Sequence, residues 1–297
     1  MTETAVATVN GAQTPEWTSS ERRRLWRTFS RNRASLLGLV LVVLVVLASV
    51  AAPLLTSWDP YEQNPVDRLK PPNGSHLLGY DAYGRDVLAR VLYAGRVSLV
   101  VGVASVLLGG IVGVVLGLVA GYFGGRLENL IMRFVDVLMA FPSLLLGLTV
   151  VAVLGPGFQN TILAIGIVLS PAFARVVHAC ALKLKSQQFV EAAQCVGAGH
   201  WRIMSVHILP NALGEVVVLA SLWVASAIRI EASLSFIGLG VSPPTPTWGN
   251  MIRDGTQQLM NAPWLSVFPG IAILIAVLGF NLLGDGLRDV LDPRLRG

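Results

Sequence analysis

Apolar residues gather along this chain into six long runs: Leu36–Leu55, Val97–Tyr122, Leu130–Leu154, Thr161–Ala179, Asn211–Phe236 and Ser266–Leu287. Each is about 20 residues or more, enough for a helix to cross ~30 Å of hydrocarbon. A backbone in lipid must satisfy its own hydrogen bonds, so such runs predict an all-α polytopic membrane protein with six transmembrane helices. The polar intervals divide the rest. Residues 1–20 are predicted to be a disordered tail, and residues 21–35 a basic amphipathic segment lying on the cytoplasmic surface. Residues 36–55 form the first span, too long for a signal-peptide core and therefore expected to remain as an anchor. Residues 56–96 make an extracytoplasmic loop, with an amphipathic helix expected around Leu78–Arg90. A five-helix core fills 97–290, and 291–297 are a short tail.

Proline and glycine punctuate the runs. Phe141-Pro142 should kink the third span, and Ser170-Pro171 should interrupt the fourth. Gly109, Gly113, Gly117 and Gly121 recur every fourth residue of the second span. Each step of four advances about 40° around a helix, so they form one slowly winding small stripe suited to close helix packing. Gly155-Pro156-Gly157 reads as a tight outer turn. Three prolines, Pro243, Pro244 and Pro246, predict a rigid surface loop across 237–265.

Composition agrees with a membrane protein: of 297 residues, 54% are hydrophobic and 13% charged, against about 25% charged in soluble domains. The net charge of +5 raises nucleic acid as a ligand, but the basic residues are scattered at the ends of apolar runs rather than gathered on one face, so none is expected. Arg22 to Arg33, Arg126, Arg133, Arg175, Lys183, Lys185, Arg202, Arg288, Arg294 and Arg296 then all fall on one side, which places both termini in the cytoplasm. Cys180 and Cys195 have no metal-ligand spacing with His178, His200 or His207, so both read as packing thiols and no metal is expected. No Gly-x-x-x-x-Gly-Lys-Ser/Thr phosphate loop is present, so the chain is not expected to be an enzyme that hydrolyses ATP.

Ionisable residues inside spans are costly and draw functional attention. Asp136 lies one turn from Arg133 and is expected to pair with it at the interface. Glu231 sits late in the fifth span, where the outer water interface and a pathway role are both open readings. Arg229, two residues earlier, implies either that the span ends sooner or that it neutralises Glu231.

One polar interlude, 183–210, is too hydrophilic for lipid and lies on the cytoplasmic side. Val190–Val196 reads as a short helix carrying Glu191, Ala192 and Ala193, followed by turns at Gly197 and Gly199. A second helix over His200–His207 places Trp201, Met204 and Ile208 at helical spacing, and Pro210 opens the next span. Glu191-Ala192-Ala193, Gly197 and Leu209-Pro210 stand at the spacing of the EAA loop in inner-membrane permeases of ATP-binding-cassette importers. Further stretches resemble the second permease type of the dipeptide, oligopeptide, nickel and glutathione importers. These are Leu77–Asp81 with Gly84–Leu88, Gly121–Gly125, Glu231–Gly240, Pro243–Met251 and Asn281–Arg294.

The resemblance implies a type I importer (MetI-like) permease fold in a bacterial inner membrane. It also implies the partners: a second homologous permease, two cytosolic cassette subunits that hold ATP and Mg, and an extracytoplasmic substrate-binding protein. By the same resemblance Glu191, Ala192, Ala193, Gly197, Gly199, Trp201, Leu209 and Pro210 would couple to the ATPase, and Pro142, Glu231 and Ser235 are candidate pathway or gate positions. No cofactor on this chain is implied. Peptides are the expected cargo, with nickel, glutathione or haem as alternatives. Two rival classes are a proton-coupled carrier titrating Asp136 or Glu231, and a membrane-embedded enzyme, for which no Ser/His pair or metal cluster is placed at one depth.

Overall fold

The computed structural model describes residues 29–30 and 32–291. The tail 1–20, residues 21–28 and 31 of the basic segment, and residues 292–297 lie outside them. Among the described residues the named elements are all helices, and five of them are long and apolar enough to cross a membrane. They are α1 (Arg33–Val50), α3 (Val87–Phe123), α6 (Phe158–Lys185), α9 (Leu209–Ile237) and α11 (Trp264–Leu291). A sixth candidate span is a bent pair, α4 (Gly125–Ala140) and α5 (Ser143–Leu154), with 98° between the two axes. Shorter helices fill the loops: α2 (Ala52–Leu55), α7 (Gln188–Cys195), α8 (His200–Arg202) and α10 (Trp248–Thr256).

Packing begins with α3 and α6, the most extensive pair. A Cβ on Gly109 would stand 2.7 Å from the Gly166 carbonyl oxygen, and one on Gly121 would stand 2.6 Å from the Ala181 Cβ. At Gly113 and Gly117 it would overlap the carbonyl oxygens of Ser170 and Ala174. The glycine stripe thus lies on a matching stripe of small residues, and the two backbones touch. Pro171 does not interrupt α6, because Ser170 Oγ donates to the Ile167 carbonyl (3.0 Å), the acceptor that proline orphans.

Several boundaries differ from the sequence pattern. The loop expected over 56–96 ends at Asp86, whose carboxylate caps α3 by accepting from Ala89 N–H (2.6 Å); the amphipathic stretch is the outer end of the span itself. Asp86 also bonds His76 Nδ1 (2.7 Å), while Asp81 accepts from Arg85 Nε (2.6 Å) and faces Arg90 (3.4 Å), so buried ion pairs seat the loop on α3. Arg96 Nε donates to the Ser49 carbonyl (2.7 Å), closing the outer end of α1.

The third run is not one kinked helix. Phe141 is extended (φ −85°, ψ 137°), as a residue before proline prefers, and that single residue with Pro142 turns the chain through the full bend. Nor is 237–265 only a loop: beyond the prolines, Thr247 and Asn250 form a capping box that starts α10, whose Trp248, Gly249, Asn250 and Met251 are buried in the main core.

The stripe can be tested directly. Gly117→Leu is expected to separate α3 from α6 and remove most of the monodisperse protein recovered in mild detergent. Gly214→Ala, in α9 with open space around it, should recover like wild type in the same chromatography.

Candidate functional site

Two regions carry the candidate residues. The first is the cytoplasmic knob between α6 and α9. Helix α7 ends in a Schellman cap: Gly197 N–H bonds the Gln194 carbonyl (2.9 Å) and Ala198 N–H bonds that of Ala193 (3.0 Å). Gly197 takes the left-handed conformation this requires (φ 81°). Gly199 does not; it is extended (φ −65°, ψ 152°) and precedes α8. From Ile203 to Ile208 the helix widens into a π turn and continues into α9, where Pro210 occupies the first turn.

The knob has its own small core. Val190, Ile203, Met204 and Ile208 pack with Leu118 and Tyr122 of α3 and Val177 and Ala181 of α6. Tyr122 Oη and His200 Nδ1 form a hydrogen bond (2.8 Å), and His178 Nε2 pairs with Glu128 Oε1 (2.8 Å), so the inner ends of α3, α4, α6 and the knob are joined. Trp201 is not part of that core. It is 76% exposed and Val196 86% exposed, with Glu191, Ala192 and Gly197 also on the surface. The structure therefore brings Glu191, Ala192, Ala193, Gly197, Gly199 and Trp201 into one knob, with Leu209 and Pro210 at its exit into α9.

The second region is a buried polar node near the outer end of α9. Glu231 is 0% exposed. Ser98 Oγ of α3 donates to Oε2 (3.0 Å), Ser235 Oγ donates to Oε1 (2.7 Å), and Ser98 Oγ in turn accepts from Trp248 N–H of α10 (3.4 Å). Of the two readings left open by the sequence, the outer water interface is excluded: Glu231 is enclosed and ties three helices together. Ser235 is enclosed with it, whereas Pro142 is exposed at the α4–α5 break.

Other charges also sit differently from their sequence readings. Arg229 points away from Glu231 and bonds Ser226 Oγ (2.9 Å). Asp136 pairs not with Arg133 in its own helix but with Arg175 of α6 (2.7 Å), and the two side chains are 57% and 51% exposed. Glu215 accepts from the Cys180 thiol (2.9 Å), which accounts for a cysteine that spacing alone left as packing. Sequence reasoning did not anticipate Tyr122, His200 or Ser98 in these contacts. No short motif joins them, because each pairs with a residue far along the chain.

Comparison with known proteins places this geometry. Residues 113–297 match the family described as binding-protein-dependent transport system inner membrane component, and residues 20–72 match the N-terminal TM domain of oligopeptide transport permease C. The chain is 43% identical over 274 residues to the dipeptide transport system permease protein DppC of Alkalihalophilus pseudofirmus, covering 92% of this chain and 90% of that one. It is 42% identical to the glutathione transport system permease protein GsiD of Pectobacterium atrosepticum (92% and 91% covered). It is also 42% identical to the di/tripeptide transport system permease protein DppC of Pseudomonas aeruginosa (93% and 93%). Among solved structures, an inward-facing MetNI methionine ABC transporter chain superposes with a TM-score of 0.56 at 19% identity, over 68% of this chain and 96% of that chain, which shows a shared fold.

The node makes a stability prediction. Glu231→Leu strands two buried hydroxyl donors and is expected to destabilise by about 1–3 kcal/mol per orphaned group, while Glu231→Gln retains an acceptor and stays within about 1 kcal/mol of wild type. Unfolding midpoints of the purified protein in one detergent would read the difference.

Proposed function

The chain belongs to the family of binding-protein-dependent transport system inner membrane components, and from that membership we propose that it forms half of a peptide pathway and is driven through its cytoplasmic knob. It is a multi-pass permease of the bacterial inner membrane and part of an ATP-driven importer, not an enzyme. In the proposed assembly a second, similar permease completes the pathway. Two cytosolic cassette subunits hold ATP and Mg, and an extracytoplasmic binding protein delivers the cargo.

The observation that carries the coupling role is the surface of the knob. Trp201 and Val196 are exposed apolar corners of a segment on the cytoplasmic side, left uncovered by the chain's own core. Ala192 and Gly197 beside them leave room for a cleft wall to approach, and Glu191 offers a carboxylate to a basic partner. Gly199, in extended conformation, links the two short helices, and Leu209 with Pro210 carries displacement of the knob into α9. The knob is bonded to α3 through Tyr122 and His200, so a cassette that pulls on it moves a packed unit rather than a slack loop. The break at Pro142 is the proposed place where the inner half opens. Alternating access by rigid-body motion then needs only that nucleotide and cargo prefer different states.

Di- and oligopeptides are the proposed cargo, since relatives over more than nine-tenths of the chain are dipeptide and di/tripeptide permeases. Glutathione, itself a tripeptide, is the second reading because relatives of equal similarity carry that name.

Glu191→Ala and Gly197→Asp test the coupling. Both variants should insert and fold, since both sites are on the surface, although aspartate strains the left-handed position. Uptake into vesicles of the reconstituted complex is expected to fall at least about tenfold relative to ATP hydrolysed. Wild-type uptake per ATP in both variants would refute the role of the knob.

A further inference from the structure

Arg229 is a cation that the packing does not use. It stands eight residues before the end of α9, about 12 Å inside the outer terminus of that helix. Its side chain is exposed, and its one side-chain hydrogen bond, to Ser226 Oγ at 2.9 Å, engages one of a guanidinium's five donors. Among the described residues no carboxylate lies within ion-pair distance of it. Glu231, two residues on, faces the opposite side of the helix into its buried node.

The open strip of α9 on which Arg229 stands is unlike the lipid-facing surfaces of this protein. The open face of α1 consists of Leu37, Val40, Val43, Leu44, Leu47 and Val50, all aliphatic and exposed. The strip of α9 around Arg229 carries half-buried Ser226 and Ser233 among its apolar residues. A charge that faces hydrocarbon is disfavoured, so ionisable residues in spans face protein or a water-filled cavity. The rest of the α9 circumference is already packed on α3, α5, α6, α10 and α11. The strip around Arg229 therefore faces the interior of the assembled transporter rather than lipid.

We propose that Arg229 takes the terminal carboxylate of the peptide as it enters the pathway. Charge complementarity selects this occupant. A guanidinium fork with free donors matches a carboxylate in two parallel hydrogen bonds, and dipeptides, tripeptides and glutathione all present one. Ser226 holds the fork from one side and leaves its remaining donors to the cargo. The assignment rests on the peptide reading above.

The test uses the complex reconstituted in vesicles with its partner permease, cassettes and binding protein. Radiolabelled alanyl-alanine and its C-terminal amide are the probes, given to wild type, R229K and R229A. The binding protein's own preference enters all three alike, so a change in the acid-to-amide uptake ratio reads the permease. In R229A the ratio is expected to fall about tenfold, with the hydrolysis elicited by loaded binding protein staying within about twofold, and R229K should keep most of the ratio. An unchanged ratio in R229A overturns the proposal. So does a joint loss of uptake and hydrolysis, or loss of the partner permease on purification, since these mark a seat for lipid phosphate or for a carboxylate of the partner. Wild type that moves neither probe overturns the peptide reading itself, an outcome distinct from wild-type uptake with an indifferent R229A.

Discussion

Backbone contact between α3 and α6 sets the geometry on which everything else is hung. In lipid no hydrophobic force drives helices together, so association depends on how closely the chains approach and on the few polar contacts between them. Here glycines on α3 meet Gly166, Ser170 and Ala174 on α6, and the helices touch along most of the membrane depth. Helices α4 and α5 then lie against α6, and α9 lies against α3 and α6, which fixes which face of α9 stays open. The outer and inner ends of the pair carry the two polar regions, with Ser98 at one end and Tyr122 at the other.

Polar atoms in this apolar protein do three different kinds of work. Some repair the helices, as Ser170 does for the carbonyl freed by Pro171. Some clamp elements that apolar packing alone could let slide: Glu231 with Ser98 and Ser235, or Asp86 with His76. A few, such as Arg229, make almost no use of their donors inside the chain. A buried carboxylate between two hydroxyls is strongly specified in position, because any slip leaves it unsatisfied. That makes the outer end of α9 rigid next to a strip that is open, a fitting arrangement for presenting one cation to a passing ligand.

The cytoplasmic knob combines a rigid base with an unfilled surface. Its base is a second small core shared with α3 and α6, separate from the main one. Its surface offers Trp201 and Val196 beside small residues. The knob is tied to α3 through the Tyr122–His200 bond and to α9 through the π turn, a local widening of the kind that recurs at functional sites. The bent pair α4–α5 is held less completely, with Phe134, Val137, Phe141 and Leu145 exposed around the break.

The crossing helices and the knob were legible in the sequence, since hydrophobic length and a polar interlude with Glu191, Ala192 and Gly197 are local properties. The glycine stripe announced a helix contact, but not that α6 supplies Gly166, Ser170 and Ala174 to meet it. What the tertiary structure alone decided is pairing. Asp136 found Arg175 rather than Arg133, and Glu231 turned inward to Ser98 while Arg229 turned outward. The capping box turned part of an expected loop into α10, and one extended residue before Pro142 turned an expected kink into a 98° bend. A residue's hydropathy and its neighbours in sequence fix whether it can lie in a helix and at what depth. Which face it presents, and to which distant residue, depends on how helices far apart in sequence are rotated against one another, and that is settled by close packing across the whole bundle.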